Sequence, residues 1–289
     1  MSMFKNIAIV SKINDESVKD SLEAVISYIK SKDIKFFLDI NSSILIKNIP
    51  PTSIEEIRNT CDIAFIIGGD GTLLKAAQDL SSADIPICGI NKGNLGFLVD
   101  ISPNYINKNL ENILSGSFSL DERISLEGSI IRNEKEISKN ISFNDVVIHS
   151  KDTARMIEMH TKLNGENLYT IHADGLIVST PTGSTAYSLS SGGPILQPTM
   201  GALVMVPICP HLLSSRPIVV EMSSVIEIRL SNNTRTNASV TFDGQINVPI
   251  ESNDILRIKK SDIILKLIQP SGISFLSILR EKLGWSIKP

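Results

Sequence analysis

Short apolar runs alternate with residues at helical spacing over residues 6–90, and this alternation limits the fold more than any other feature of the chain. Asn6-Ile7-Ala8-Ile9-Val10 reads as a buried parallel strand. Val18, Leu22, Val25, Ile26 and Ile29 then recur on one helical face behind polar residues that can cap. Phe36-Phe37-Leu38-Asp39-Ile40 reads as a second strand and Asp62–Ile67 as a third, which runs straight into Gly68-Gly69-Asp70-Gly71-Thr72. A helix pattern follows (Leu73, Leu74, Ala76, Ala77, Leu80), then a fourth strand, Pro86–Ile90. Strand, helix, strand in this rhythm is the grammar of an open parallel α/β sheet, Rossmann-like in its layers.

The grammar changes near residue 120. Leu126–Arg132, Ser142–His149, Arg155–Leu163, Gly175–Ser179, Leu203–Ile208, Val225–Leu230, Val240–Phe242 and Ile263–Ile268 read as strands. Asn164-Gly165, Asn232-Asn233 and Asp243-Gly244 supply turn signals between them. Such spacing predicts a mainly antiparallel, β-rich second domain. Phe275–Leu283 returns to helical spacing.

Composition narrows the function classes. The chain has 289 residues, 42% of them hydrophobic, which suits two domains with their own cores and argues against disorder. A net charge of −3 gives no global attraction to nucleic acid. Cys61, Cys88 and Cys209 lie far apart and the histidines are scattered, so neither a disulfide framework nor a metal cluster is expected, and a cytoplasmic setting fits. The apolar run after Met1–Asn6 is too short for a secretory signal. Charged residues make up 20% of the chain, yet residues 175–215 contain none, where roughly eight would be expected at that frequency. Prolines, glycines and hydroxyl residues interrupt this window, and no run in it reaches the ~18 apolar residues of a membrane span.

Gly68, Gly69, Asp70, Gly71 and Thr72 carry the strongest local signal. A glycine loop between a strand and a helix turns backbone N–H groups toward an anion, and glycines allow close approach and left-handed φ. The segment is neither G-x-G-x-x-G nor a lysine-bearing phosphate loop. Asp70 can be a turn aspartate bonding its own backbone. Its setting, behind an apolar strand and two glycines, favours a role toward ligand. Asn91–Phe97 is Gly/Asn-rich at a strand end, the edge where open sheets bind ligands. Thr180-Pro181-Thr182-Gly183-Ser184-Thr185-Ala186-Tyr187 opens the charge-free window with hydroxyls that can bind ribose or phosphate and a ring that can stack. Ser184 can instead cap a helix over Thr185–Leu189. Asn144-Asp145 at a strand start, Arg155 in a strand, and His172 before Asp174-Gly175 are each ambiguous alone.

Together, GGDGT at 68–72, NKGNLGF at 91–97, FND at 143–145, RMIE at 155–158, DGLIVSTPTGSTAYSLSSGGP at 174–194, the Pro207–Pro217 segment and Asp243-Gly244-Gln245 resemble the NAD kinase family, whose members phosphorylate NAD to NADP with ATP. GGDGT alone is shared with diacylglycerol, sphingosine and phosphofructokinase-like enzymes; the TPTGSTAY segment is the more specific part. The resemblance implies an α/β domain over 1–120, a β-rich NAD-binding domain over 121–270, and a last segment, 271–289, packing back on the first. It implies a homo-oligomer, dimer or tetramer, with NAD and ATP as small-molecule substrates and Mg²⁺ or another divalent cation brought by ATP. No resident metal site, nucleic acid or membrane is expected.

Carried over residue by residue, Asp70 resembles the general base for the adenosine ribose 2′-hydroxyl. Gly68, Gly69 and Thr72 resemble the phosphate loop, and Gly71 and Phe97 dinucleotide or phosphate contacts. Asn144 and Asp145 resemble ribose ligands. Arg155, His172, Asp174, Thr182, Thr185, Ala186, Tyr187, Ser188, Leu189, Ser190 and Gln245 resemble the remainder of the NAD site. Two positions depart from the family. His172 stands where relatives often carry Arg, and Asp145 where they often carry Glu. A His in place of a fixed charge makes binding more pH-dependent. Two other readings share parts of this pattern: a lipid kinase with the same glycine–aspartate loop, and a dinucleotide-binding protein without catalysis.

Overall fold

The computed structural model describes residues 2–92, 96–99, 101–152, 155–212, 214–231, 237–270, 272 and 274–285. The chain forms two compact units, residues 1–122 with 264–289, and residues 123–263.

In the first unit, strands β1 (Asn6–Ser11), β2 (Lys35–Leu38), β3 (Ile63–Ile67) and β4 (Ile87–Ile90) are all parallel, in the order β2-β1-β3-β4. Helices α1 (Lys19–Ser31), α2 (Ile40–Leu45), α3 (Ile54–Thr60), α4 (Asp70–Leu80) and α5 (Ile106–Leu114) fill the connections. The α1 face expected from the sequence is buried: Leu22, Val25, Ile26 and Ile29 pack with α5 and with Ile7, Ile9 and Phe65 of the sheet. Each such side chain contributes roughly 1.5–3 kcal/mol on leaving water. α4 covers the opposite face, where a Cβ on Gly89 would lie 3.0 Å from Leu73 Cδ1. The second strand is shorter than expected. Asp39 ends it and caps α2, accepting the Ser42 and Asn41 N–H groups at 2.9 and 3.3 Å.

The second unit holds β5 (Ser119–Arg132, from Arg123 on), β6 (Lys135–Ser142), β7 (Asp145–Ser150), β8 (Ile157–Leu163), β9 (Glu166–Ala173) and β10 (Gly175–Ser179). After the short helix α6 (Tyr187–Ser190) come β11 (Ala202–Ile208), β12 (Ile218–Glu221), β13 (Ile226–Leu230), β14 (Ala238–Phe242), β15 (Ile246–Ile250) and most of β16 (Ile255–Gln269). The last residues of β16 belong to the first unit, where Leu267 pairs parallel with Ile87 of β4, and α7 (Phe275–Lys282) follows there. Six strands form an antiparallel sheet, β12-β11-β10-β7-β14-β15. In a second antiparallel layer β13 pairs with β8 and β16, and β9 with β8. The main core joins Val146, Ile148, Leu176, Val178 and Phe242 of the six-stranded sheet to Met159, Ile228 and Leu256 of the other layer.

The sequence reading missed β6, β9, β12 and β15, whose patterns are largely polar or short. It also placed Ile263–Ile268 alone where β16 runs on from Ile255. The Asn164-Gly165 and Asp243-Gly244 turns are present, with φ of 51° and 85°, and 51° and 65°. Asn232-Asn233 lies outside the described residues. Among the described residues no helix is long and apolar enough to cross a membrane.

β10 accounts for the start of the charge-free window. Leu176 and Val178 enter the main core, while Ile177 enters a second cluster on the other face with Val147, Leu196, Val204 and Val206. A strand covered on both faces reads as a continuous apolar run, because a charge on either side would be desolvated without a partner.

Candidate functional site

In the first unit the glycine loop caps α4 at the carboxyl end of β3. Gly68 N–H donates to Ile90 O at 3.0 Å, and Gly69 is the residue before the helix. None of Gly68, Gly69 and Gly71 has a left-handed φ, so the expected conformational reason for glycine does not apply here. Space is the reason at Gly68, where a Cβ would lie 2.5 Å from Thr72 Oγ1. A Cβ on Gly69 would meet nothing within 4 Å, so packing makes no demand for glycine there.

Asp70 is the first helical residue. It bonds not its own turn but a distant one: its carboxylate accepts the N–H groups of Phe97 at 2.9 Å and Leu98 at 3.1 Å. Gly96 makes that approach possible, since a Cβ there would fall 2.1 Å from Asp70 Oδ1. Phe97 thus meets Asp70 through its backbone, and Gly96 is a site-shaping residue that the sequence reading did not single out. Gly93, Asn94 and Leu95 of the same segment lie outside the described residues.

In the second unit the Asn144-Asp145 turn opens β7 and is held from two sides. Asp243 accepts the N–H groups of Phe143, Asn144 and Asp145 at 2.9, 2.7 and 3.1 Å. Its own N–H donates to Asp145 O at 3.0 Å. On the other side, Asn144 O accepts Thr180 N–H at 2.9 Å and Ser179 Oγ–H at 3.2 Å, and Thr180 Oγ–H donates to Phe143 O at 2.6 Å. Gly183 closes against the same carbonyl, where a Cβ would lie 2.2 Å from Asn144 O. Two sites result. The Asp145 side chain is 5% exposed, and burial, with Asp243 adding repulsion, pushes its carboxyl up to about 7. Asn144 Oδ1 is buried and has no hydrogen-bond partner among the described residues.

The TPTGSTAY segment follows β10 of the six-stranded sheet. Ser184 does not cap a helix. Its hydroxyl accepts Leu196 N–H at 2.9 Å and donates to Pro181 O at 2.6 Å, closing the loop. The helical stretch is broken into a 3₁₀ turn, Gly183–Thr185, and α6. Thr182 is buried and accepts from Arg123 at 3.2 Å, while Thr185 Oγ–H turns back to Thr182 O. Ser188 is fully buried, and its hydroxyl lacks a partner among the described residues. Ala186 and Leu189 are half-buried and Ser190 is exposed. Tyr187 is 47% exposed; partial burial raises its pKa, and electrostatic repulsion from Cys209, Asp145 and Asp174 raises it further.

The remaining expected residues sit less centrally. Arg155 is exposed and precedes β8 rather than lying in it, because the strand pairing starts at Ile157. His172 is exposed on β9, opposite Glu158. Gln245 is exposed in the Asp243–Gln245 turn. Asp243, Arg123, Ser179 and Thr180 were not assigned as site residues from the sequence. Ser179 and Thr180 stand in the quoted 174–194 segment and Asp243 in the Asp243-Gly244 turn, but a carboxylate reaching amides about 100 positions away leaves no local pattern that shows its role.

The ATP-NAD kinase N-terminal domain model matches residues 7–118 and the ATP-NAD kinase C-terminal domain model matches residues 143–269. An NAD kinase of Teredinibacter turnerae is 40% identical over 288 residues, covering 99% of this chain and 98% of that one. An Archaeoglobus fulgidus NAD kinase solved in complex with ATP has a TM-score of 0.75 at 26% identity, over 98% of this chain and 100% of that one. A yeast NADH kinase solved with NADH has a TM-score of 0.88 at 23% identity, over 99% and 89%, a likeness of fold. With both domain models matched and near full-length identity of this order, the chain belongs to the ATP-NAD kinase family.

Proposed function

We propose that this chain transfers the γ-phosphate of ATP to the 2′-hydroxyl of the adenosine ribose of NAD, giving NADP. The observation that carries the reading is the clamped Asn144-Asp145 turn. It presents a buried amide oxygen without a partner beside a buried carboxylate, and polar groups are buried unmatched where a ligand completes them. Asn144 and Asp145 take the ribose hydroxyls in this reading, Tyr187 stacks on a ring, and the hydroxyls of Thr182, Thr185, Ser188 and Ser190 line the dinucleotide together with Asp174, Ala186, Leu189 and Gln245. Arg155 and His172, both exposed, are its outer contacts. Membership of the family in both domains favours this over a lipid kinase or a binding protein without catalysis.

Asp70 acts as the base. Its carboxylate accepts the 2′-hydroxyl proton late in the reaction, as the new O–P bond to the γ-phosphorus forms and the bond to the β-phosphate oxygen breaks, releasing ADP. Phe97 and Leu98 N–H groups hold the carboxylate at a fixed orientation meanwhile. The N–H groups at the start of α4, with Gly68, Gly69, Gly71 and Thr72, face the phosphates. Mg²⁺ enters as part of the substrate, MgATP. The same reading places the protein in the cytoplasm as a homo-oligomer, dimer or tetramer. The test is direct: incubate the protein with ATP, Mg²⁺ and NAD and detect NADP with an NADP-specific dehydrogenase. Absence of ATP-dependent NADP from folded protein would overturn the proposal.

A further inference from the structure

Lys12, Asp15 and Lys92 form a charged group in the first unit that no step above uses. Two backbone bonds place it. Lys12 N–H donates to Ile67 O and Gly68 N–H donates to Ile90 O, each at 3.0 Å, so Lys12 follows β1 on one side of the glycine loop and Lys92 follows β4 on the other. Both ammonium groups reach the same atom, Asp15 Oδ2: Lys12 at 3.1 Å and Lys92 in a short contact. The other oxygen, Oδ1, accepts the N–H and hydroxyl of Ser17 at 3.0 and 2.5 Å. The three side chains thus join the connection after β1 to the one after β4, past the end of β3, with one positive charge in excess. Lys92, then the Ser17 hydroxyl and Lys12, hold the Asp15 carboxyl well below the usual carboxylate range.

The position has a topological meaning. In the order β2-β1-β3-β4 the winding reverses between β1 and β3, and open parallel sheets bind ligands outside the carboxyl ends of the strands at that point. Ser11, which pairs with Ile67 there and precedes Lys12, is 2% exposed, and its hydroxyl has no partner among the described residues. Solvent-accessible ion pairs add little stability, so stability does not account for two lysines on one oxygen. Two ammonium groups converging on one anionic oxygen form charge-assisted hydrogen bonds that a phosphate oxygen accepts equally well.

We propose that Lys12 and Lys92 bind the phosphate chain of the donor, and that Asp15 is an internal anion that keeps the two ammonium groups at phosphate spacing until the donor displaces it. The proposal deepens the kinase reading and rests on it for the identity of the ligand. The probe is inorganic tripolyphosphate, titrated calorimetrically into the full chain. Replacing both lysines, K12A/K92A, weakens its binding by about 10-fold or more and flattens the dependence on salt. Asp15→Asn keeps an acceptor for Ser17 but removes the competing charge, and tightens binding several-fold. NAD binding stays within about twofold in all three proteins, as expected of groups that touch only the donor. Equal tripolyphosphate affinity in wild type and K12A/K92A would overturn the proposal, as would loosened binding in Asp15→Asn. Steady-state KM for ATP and for long-chain polyphosphate, measured on the same proteins, separates the two donor sources and the two readings. Binding through the lysines without NADP formation leaves the anion site standing and removes the kinase reading. NADP formation with unchanged donor KM in K12A/K92A does the reverse.

Discussion

Asp70 and Asp145 are both aspartates expected at the ligand, one in each unit, and their settings differ. Asp70 starts a helix, half-buried, with its oxygens met by two amide N–H donors from a neighbouring loop. Asp145 is buried, and the donors around it serve the second carboxylate, Asp243, which takes three N–H groups of the turn. The first arrangement orients a carboxylate through two fixed N–H donors. The second uses one carboxylate to fix the backbone while its neighbour is left in a medium that resists ionisation, as its raised pKa records. In the proposed reaction these are the settings of the proton acceptor and of a ribose ligand.

Four experiments break or sharpen that contrast. The largest effect is expected at Asp70. Asp70→Asn keeps the fold and NAD binding and lowers kcat by at least ~10²; near-normal turnover would remove its assignment as base. Asp243→Ala comes next. It strips the acceptor from three N–H groups and lowers stability by about 3 kcal/mol, read by urea unfolding, with NAD affinity falling as the turn loosens. An unchanged NAD affinity would show that the clamp is structural only.

Asp145→Asn has a smaller effect with a defined pH dependence. The folded-state pKa is raised, so the wild-type contribution is complete below the ordinary value of 3.8 and lost as pH rises through about 7. The variant is therefore no more stable than wild type near pH 4 and exceeds it in Tm increasingly toward pH 8. A Tm difference that stays flat between those pH values would show that burial does not hold the Asp145 carboxyl protonated. The smallest effect is Gly69→Ala. Since a Cβ there meets nothing, Tm moves little, within about 0.5 kcal/mol of stability, while KM for ATP rises if phosphate lies against that backbone. Unchanged KM would leave Gly69 without a role in the phosphate loop.

The first unit was the more legible of the two. Its strands and the helices α1 and α4 are local periodic patterns, and periodicity survives in sequence because each element buries one face. The second unit was read less completely. β6 and β15 are edge strands with much of their surface in solvent, and Arg155 looked like a strand residue because apolar alternation begins next to it. At the candidate sites, the residue types at 68–72, 144–145 and 180–187 were visible as unusual composition. The pairings among them were not, because Asp70–Phe97, Asp145–Asp243 and Asn144–Thr180 are contacts across long sequence separations.

The sequence by itself determined the order of the four parallel strands with α1 and α4, the glycine loop, the hydroxyl-rich segment and, through the motifs that carry the resemblance, the family. These are one-dimensional properties, set by spacing and by residue type. Tertiary structure decided what each of those residues does. It showed that Gly68 and Gly96 are glycines for space rather than for φ, and that Ser184 ties a loop rather than capping a helix. It also showed that β10 and β11, within the charge-free window, belong to a sheet packed on both faces. The physical reason is the same in each case. Close packing and hydrogen-bond satisfaction depend on what lies opposite a residue, and that is fixed only when the chain has folded.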